Sequence, residues 1–257
     1  SLLIPEVRRR DKNIAFVRMH ARFSAPDCHE LLNTLTYDRT YIIDLTGRTP
    51  EKIAAAMPKD GRRGVKRAER VAKEAGVVIK DETGMDRATF DEVYRVLEET
   101  SERDGFTPHS ADVYWTMLTT LGEQARIYVA RLDGRPVAWV LVTVNGISSV
   151  AYYGASTTAD RATRAAEATD WYAACDLAAK GYKGYDFMGA GSTRVPELYS
   201  VGMYKKRFAQ HPTEVDGAWD VPVQRPVFEA LVAAKKAKHL VRKATVVASK
   251  ASEAIKR

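Results

Sequence analysis

The chain has 257 residues, 45% of them hydrophobic and 9% aromatic. That excludes a disordered polymer and provides enough material for one large domain or two small ones. A formal net charge of +7 favours phosphate-bearing partners over neutral small molecules. Two cysteines, Cys28 and Cys175, exclude a disulfide framework, no apolar run approaches the ~20 residues of a membrane span, and the opening charges are in the wrong order for a secretory leader, so a cytoplasmic location is expected.

In chain order, Asn13–Met19 and Thr40–Leu45 read as strands, being rich in β-branched and aromatic residues. Thr49 with Pro50 reads as the N-cap and first position of a helix that Pro58 interrupts. A second helix is predicted from Gly61 to Glu74, stopping at Gly76, and a short strand over Val77–Lys80. Phe90, Val93, Tyr94 and Leu97 recur at helical spacing, and Val113–Leu121 reads as another short helix. Strands follow over Arg126–Leu132, Arg135–Val144 and Ser148–Tyr153, joined by the hairpin signals Asp133-Gly134 and Asn145-Gly146. An alanine-rich helix is predicted over Thr158–Lys180, with Ala168, Tyr172, Cys175 and Ala179 on its inner face and Gly181 as its stop. Tyr185–Met188 reads as a further strand. The order of elements is that of an α+β fold built on an antiparallel meander, not a doubly wound parallel sheet.

From Pro226 the chain turns basic and alanine-rich. Ala230, Ala234, Ala237, Val241, Ala244, Ala248, Ala251 and Ile255 alternate steps of four and three, a seam of small residues on one long helix over 226–257. Eight of the last twenty-three residues are Lys or Arg against one Glu. Such a face either solvates a docked helix or meets RNA or the inner, anionic membrane surface.

Several patterns bear on chemistry. Gly189-Ala190-Gly191 after an apolar run resembles a dinucleotide loop, but Arg194 stands where the third glycine belongs and no helix is expected directly after it, which argues against a nucleotide cofactor there. The histidines His20, His29, His109, His211 and His239 show no ligand spacing, and no serine sits in a nucleophile elbow, so neither a metal nor a cofactor is expected. Cys175 reads as core rather than nucleophile. In "DGRRGVKRAERVAKEAGVVI", Val65, Ala68, Ala72 and Ala75 form an apolar stripe, while Arg62, Arg63, Lys66, Arg67, Arg70 and Lys73 cluster elsewhere on the helix. Either these cations simply solvate, or they meet phosphates. Tyr152 and Tyr153 are expected to alternate across a strand. In "MYKKRFA", read as extended, Tyr204, Lys206 and Phe208 share one face and Lys205 takes the other, a lysine anchored well enough to stabilise an oxyanion.

Four segments in this order resemble the FemABX family: "TYIIDLTGRTPEKIAAAMPKDGRRGVKRAERVAKEAGV", "ETSERDGFTPHSADVY", "VAYYGAS" and "GYKGYDFMGAGSTRVPELYSVGMYKKRFA". The resemblance runs from about Phe16 to Phe208. It implies paired GNAT-like domains: a mixed, mostly antiparallel sheet with flanking helices. A reduced first domain over 1–81, joined by 211–257, and a complete second one over 82–210 are expected. The implied activity is aminoacyl transfer from aminoacyl-tRNA to an amine of a peptidoglycan precursor, nucleotide- or lipid-linked. Lys205 matches the family's lysine in "FKKGF", thought to stabilise the transition state, and Tyr153 the tyrosine of its "YGAS" strand. Arg103, Tyr152, Tyr204 and Lys206 fall at substrate-facing positions, and the cluster from Arg62 to Lys73 on the RNA-facing side. Met188 stands where the family often has glycine. "GASTTADRATRA" lacks the glycines of a coenzyme A loop, which disfavours the alternative of an acyl-CoA-dependent N-acyltransferase. A non-catalytic RNA- or envelope-associated module is the other alternative.

Overall fold

The computed structural model describes residues 3–21, 25–32 and 36–237. The chain forms two compact units, Arg39–Glu214 and Ser1–Asp38 with Val215–Arg257.

The smaller unit contains α1 (Leu3–Arg10), β1 (Phe16–Ala21) and, from the far end of the chain, β9 (Gly217–Pro222) and a helix over 225–237, here α8. β1 and β9 pair antiparallel from Phe16↔Pro222 to Ala21↔Gly217. Asp220 is fully buried; its carboxylate accepts from Arg18 Nε at 2.8 Å and Nη2 at 3.0 Å, and from the Leu32 N–H at 2.7 Å. Phe16 and Phe228 meet edge to face at 5.6 Å. Sequence reading missed α1 and β9. The seam positions beyond Ala237, and His239, lie outside the described residues.

The larger unit holds β2 (Arg39–Asp44), α2 (Pro50–Ala56), α3 (Lys59–Glu74), β3 (Val78–Asp81), α4 (Arg87–Asp104), α5 (Ala111–Leu121), β4 (Ala125–Leu132), β5 (Arg135–Asn145), β6 (Ser148–Ser156), α6 (Ala165–Ala179), β7 (Gly184–Gly189), α7 (Tyr199–Lys205) and β8 (Thr213–Glu214). Its seven-stranded sheet runs β3-β4-β5-β6-β7-β2-β8. Every pairing is antiparallel except β6 with β7. This is the expected α+β fold with a mostly antiparallel sheet. The boundary expected at 81/82 falls inside this unit, because β2 pairs with β7 and α3 packs on α6 through Ala68, Ala72 and Ala168.

Local signals work where they are strong. Thr49 accepts from the Lys52 N–H, Pro50 opens α2, and Asp86 caps α4 by accepting from the Thr89 N–H at 2.8 Å. Asp133 and Gly134, at φ 51° and 80°, form the two-residue turn between β4 and β5. The second hairpin is displaced by one residue: Asn145 still pairs with Ser148, so the turn is Gly146-Ile147, with Gly146 at φ 58°. The apolar run in β5 is buried on both faces, as a central strand requires. Trp139 and Leu141 face α4 and α5 with Phe90, Val93 and Tyr114. Val140 and Val142 face α6 with Trp171 and Leu177. Trp171 takes the inward position expected for Tyr172, which is 39% exposed, and α6 starts seven residues late, after a 3-10 turn at Arg161–Thr163.

Candidate active site

β6 and β7 pair only over Ser148↔Gly184, Ser149↔Tyr185 and Val150↔Asp186. Beyond that β6 continues to Ser156 without β7, while β7 stays paired with β2 as far as Gly189. The two parallel strands therefore open a wedge in the middle of the sheet. On the β6 side the register steps from Leu141↔Tyr153 to Val142↔Ala151, leaving Tyr152 as an extra residue. This bulge corrects the expected alternation of Tyr152 and Tyr153: their rings touch, with centroids 4.9 Å apart. Tyr153 packs edge to face on Tyr114 at 4.7 Å, while Tyr152 is 43% exposed. Burial raises the Tyr153 phenol above its ordinary pKa, so it remains protonated at neutral pH.

On the β7 side, Tyr204 and Lys205 end the helix α7, not an extended segment. The turn that follows α7 brings Tyr204 and Phe208, four apart, to 5.2 Å, and both reach Phe187. The glycine loop serves this packing. A Cβ on Gly191 would lie 2.6 Å from Tyr199 N and Cα, so only glycine lets α7 begin there. Lys205 Nζ donates to Gly189 O at 2.7 Å and to Met188 O at 3.3 Å. Burial lowers its pKa to about 8, with Asp186 and Asp170 opposing the shift. Met188 has φ 60°, a left-handed conformation that costs a side-chain-bearing residue about 1–2 kcal/mol. Lys206 is exposed.

Beneath α7, Asp170 of α6 accepts from Tyr204 Oη at 2.6 Å and from Tyr185 Oη at 2.9 Å. Burial pushes the Asp170 carboxyl up to about 6; the two phenol hydrogen bonds limit the rise. Next to it Glu167, buried, pairs with Arg164 and with Arg207 Nη1 at 3.4 Å. The Arg207 guanidinium lies over the Tyr204 ring at 5.0 Å. A cavity of about 430 Å³ opens here, lined by Ser156, Thr157, Arg161, Arg164, Tyr204 and Arg207 among others. Sequence reading missed Glu167, Asp170 and Arg207. The available signal was a pair of acids three apart on an otherwise alanine-rich helix.

Arg103 braces the end of β6: it donates to Ser156 O at 2.8 Å and Thr158 Oγ1 at 3.3 Å, and pairs with Asp104 at 2.9 Å. On α3 the buried stripe is Gly61, Val65, Ala68 and Ala72; Ala75 is the exposed C-cap, because the helix ends one residue earlier. Arg62, Arg63, Lys66, Arg67, Arg70 and Lys73 are all exposed, and Arg70 pairs with Glu74 at 3.3 Å. The Arg207 carbonyl rests on Gly61, leaving no room for a side chain, so the basic helix begins against the Lys205–Arg207 segment. Cys175 is partly buried among apolar neighbours, which push its thiol up to about 12. Among the described residues no three His, Cys, Asp or Glu side chains gather where a metal could be held, and no helix is long and apolar enough to cross a membrane.

The acetyltransferase (GNAT) domain family matches residues 59–206, which span the basic helix, the wedge and Lys205. Among solved structures, FemX superposes with a TM-score of 0.64 at 15% identity, over 83% of this chain and 68% of that one. The C-terminal domain of a putative lysylphosphatidylglycerol synthetase from Agrobacterium fabrum gives 0.56 at 14% identity, over 77% and 65%. L-PGS from Bacillus licheniformis gives 0.54 at 13%, over 79% and 65%. The chain thus spans about two thirds of each of these structures, and at such identities the likeness is one of fold. No curated protein matches the chain. With a family match over more than half of its length, the chain belongs to the acetyltransferase (GNAT) domain family and is an acyl-transfer enzyme of that fold.

Proposed function

We propose that the larger unit transfers an aminoacyl group from aminoacyl-tRNA to an amine, with a peptidoglycan precursor or similar peptide as acceptor. The amine attacks the ester carbonyl, a tetrahedral oxyanion forms, and the ribose oxygen leaves with the proton that the amine gives up. The ester is already activated, so the protein's contribution is positioning and oxyanion stabilisation. The observation that carries this reading is Lys205. Two of its three N–H bonds are engaged by the Met188 and Gly189 carbonyls, which fixes the direction of the third. With a pKa of about 8 it is still mainly an ammonium at neutral pH. The partly exposed Tyr152, with Tyr153 behind it, lies on the β6 strand of the wedge, Lys206 follows Lys205 directly, and Arg103 braces the end of β6. The six exposed cations of α3 supply a phosphate-binding face that begins next to Lys205. The likeness to FemX and to a lysylphosphatidylglycerol synthetase supports aminoacyl transfer as the class. Such a reaction belongs in the cytoplasm, where charged tRNA is made, and a lipid-linked acceptor would bring the enzyme to the inner membrane surface.

The test is to incubate the protein with a mixed pool of charged tRNAs and candidate cell-wall precursors and to detect the new peptide by mass. Lys205→Ala lowers kcat by about two to three powers of ten. A near-wild-type rate removes Lys205 from the mechanism. The cavity lined by Arg161, Arg164 and Arg207 supports a second reading, an acyl-CoA donor, in which a diphosphate would compete with Glu167 for Arg164 and Arg207. Calorimetry with coenzyme A decides between the two: micromolar binding overturns the tRNA reading.

A further inference from the structure

Met188 is a left-handed residue within a strand, where glycine would be unstrained. Its surroundings hold it there. β7 has one residue more than β2 between the pairs Thr40↔Gly189 and Ile42↔Asp186, so the strand bulges at Phe187-Met188. The Met188 N–H donates back to Asp186 Oδ1 at 2.7 Å. The Thr40 hydroxyl, fully buried, lies between Asp186 Oδ1 and Met188 O, the latter at 2.8 Å. Its one hydrogen is shared between the carboxylate and the carbonyl, the two acceptors it faces. That same carbonyl, with Gly189 O, receives the Lys205 ammonium.

We propose that Thr40 and Asp186 are positioning residues, which hold the Met188 bulge so that two carbonyls grip the Lys205 ammonium and aim its remaining N–H into the wedge. The inference rests on the proposed role of Lys205, but the grip itself is open to test without any substrate. Neither Thr40 nor Asp186 has to touch a substrate. Asp186 from β7 and Asp170 from α6 are the charged groups that act on Lys205, and both favour its charged form, against burial. Without the grip the flexible lysine reaches water, desolvation falls away, and its amine becomes as basic as that of an ordinary surface lysine.

The experiment is pH-resolved labelling of the full chain with an amine-reactive ester, read by peptide mass, with the exposed Lys206 as internal reference. In the wild type, Lys205 is expected to show a midpoint near 8 and to label ahead of the reference lysine near neutral pH. Thr40→Val, isosteric and uncharged, is expected to raise that midpoint and to cut the lead about tenfold, the equivalent of one pKa unit. Thr40→Ser, which keeps the hydroxyl, stays like the wild type. Met188→Gly in the Thr40→Val background restores the profile, since glycine adopts the left-handed bulge unaided. An unchanged midpoint in Thr40→Val overturns the proposal, and so does a shift that Met188→Gly leaves as it stands. If labelling follows these expectations and Lys205→Ala still forms peptide at the normal rate, the grip stands and the catalytic reading of Lys205 fails.

Discussion

Replacing Gly61 by alanine, with Gly64→Ala as its control, separates helix propensity from packing at the root of the site. Both glycines lie in α3, four and one residues before Val65 of the buried stripe. Alanine favours a helix over glycine by about 1 kcal/mol, so propensity alone stabilises both variants. At Gly61, however, the new Cβ would overlap the Arg207 carbonyl oxygen and lie 2.7 Å from its carbon. Both atoms belong to backbone, which no rotamer change can relieve. Overpacking of this kind costs about 1–3 kcal/mol or more, and the propensity gain offsets only part of it. At Gly64 the nearest atom is Glu167 Oε1, 3.1 Å away at the end of a side chain, and it can give by the few tenths of an ångström required. Gly61→Ala should therefore be destabilised and Gly64→Ala should lie between neutral and about 1 kcal/mol more stable, a separation of roughly 2 kcal/mol. Urea unfolding followed by tryptophan fluorescence measures it, with equal m values as the check that the unfolding surface is unchanged. The refuting result is Gly61→Ala matching or exceeding Gly64→Ala in midpoint. That would mean α3 does not rest on the Arg207 carbonyl.

Other outcomes follow from the same geometry. Asp170 has its pKa raised from 3.8 to about 6, so the native state favours the protonated acid; its contribution is complete below about pH 4 and is lost as pH rises through about 6, by roughly 3 kcal/mol, and unfolding curves of Asp170→Asn should lack this dependence. Transfer that needs the Lys205 ammonium should fall as pH rises through about 8 at saturating substrates; a rate still climbing well above that pH would contradict the assignment. Changing Arg63, Arg67 and Arg70 together to Gln should leave folding intact while lowering the slope of log tRNA affinity against log salt by roughly 0.9 for each duplex phosphate no longer neutralised. An unchanged slope would mark α3 as a solvated face. Cys175, its thiol held near 12 by burial, should resist alkylation in the native protein at neutral pH; rapid modification would show that its packing is looser than described.

The sequence by itself determined what depends on near neighbours. The Thr49-Pro50 start of α2, the Asp86 cap, the Asp133-Gly134 turn and the four central strands follow from caps, φ preferences and period, each complete within a few residues. The order of segments also conveyed the acyltransferase family and singled out Lys205 as a candidate. Only the tertiary structure decided where the chain departs from regular period. A bulge is one extra residue against a partner strand, so neither Tyr152 nor Met188 can be recognised as one until β5 and β2 lie beside them. The pairing of β1 with β9, about 200 residues apart, leaves no local trace. Nor does the union of Asp170 with Tyr185 and Tyr204: a buried carboxylate is tolerable only once its partners arrive, and they come from a strand and a helix that follow it in the chain.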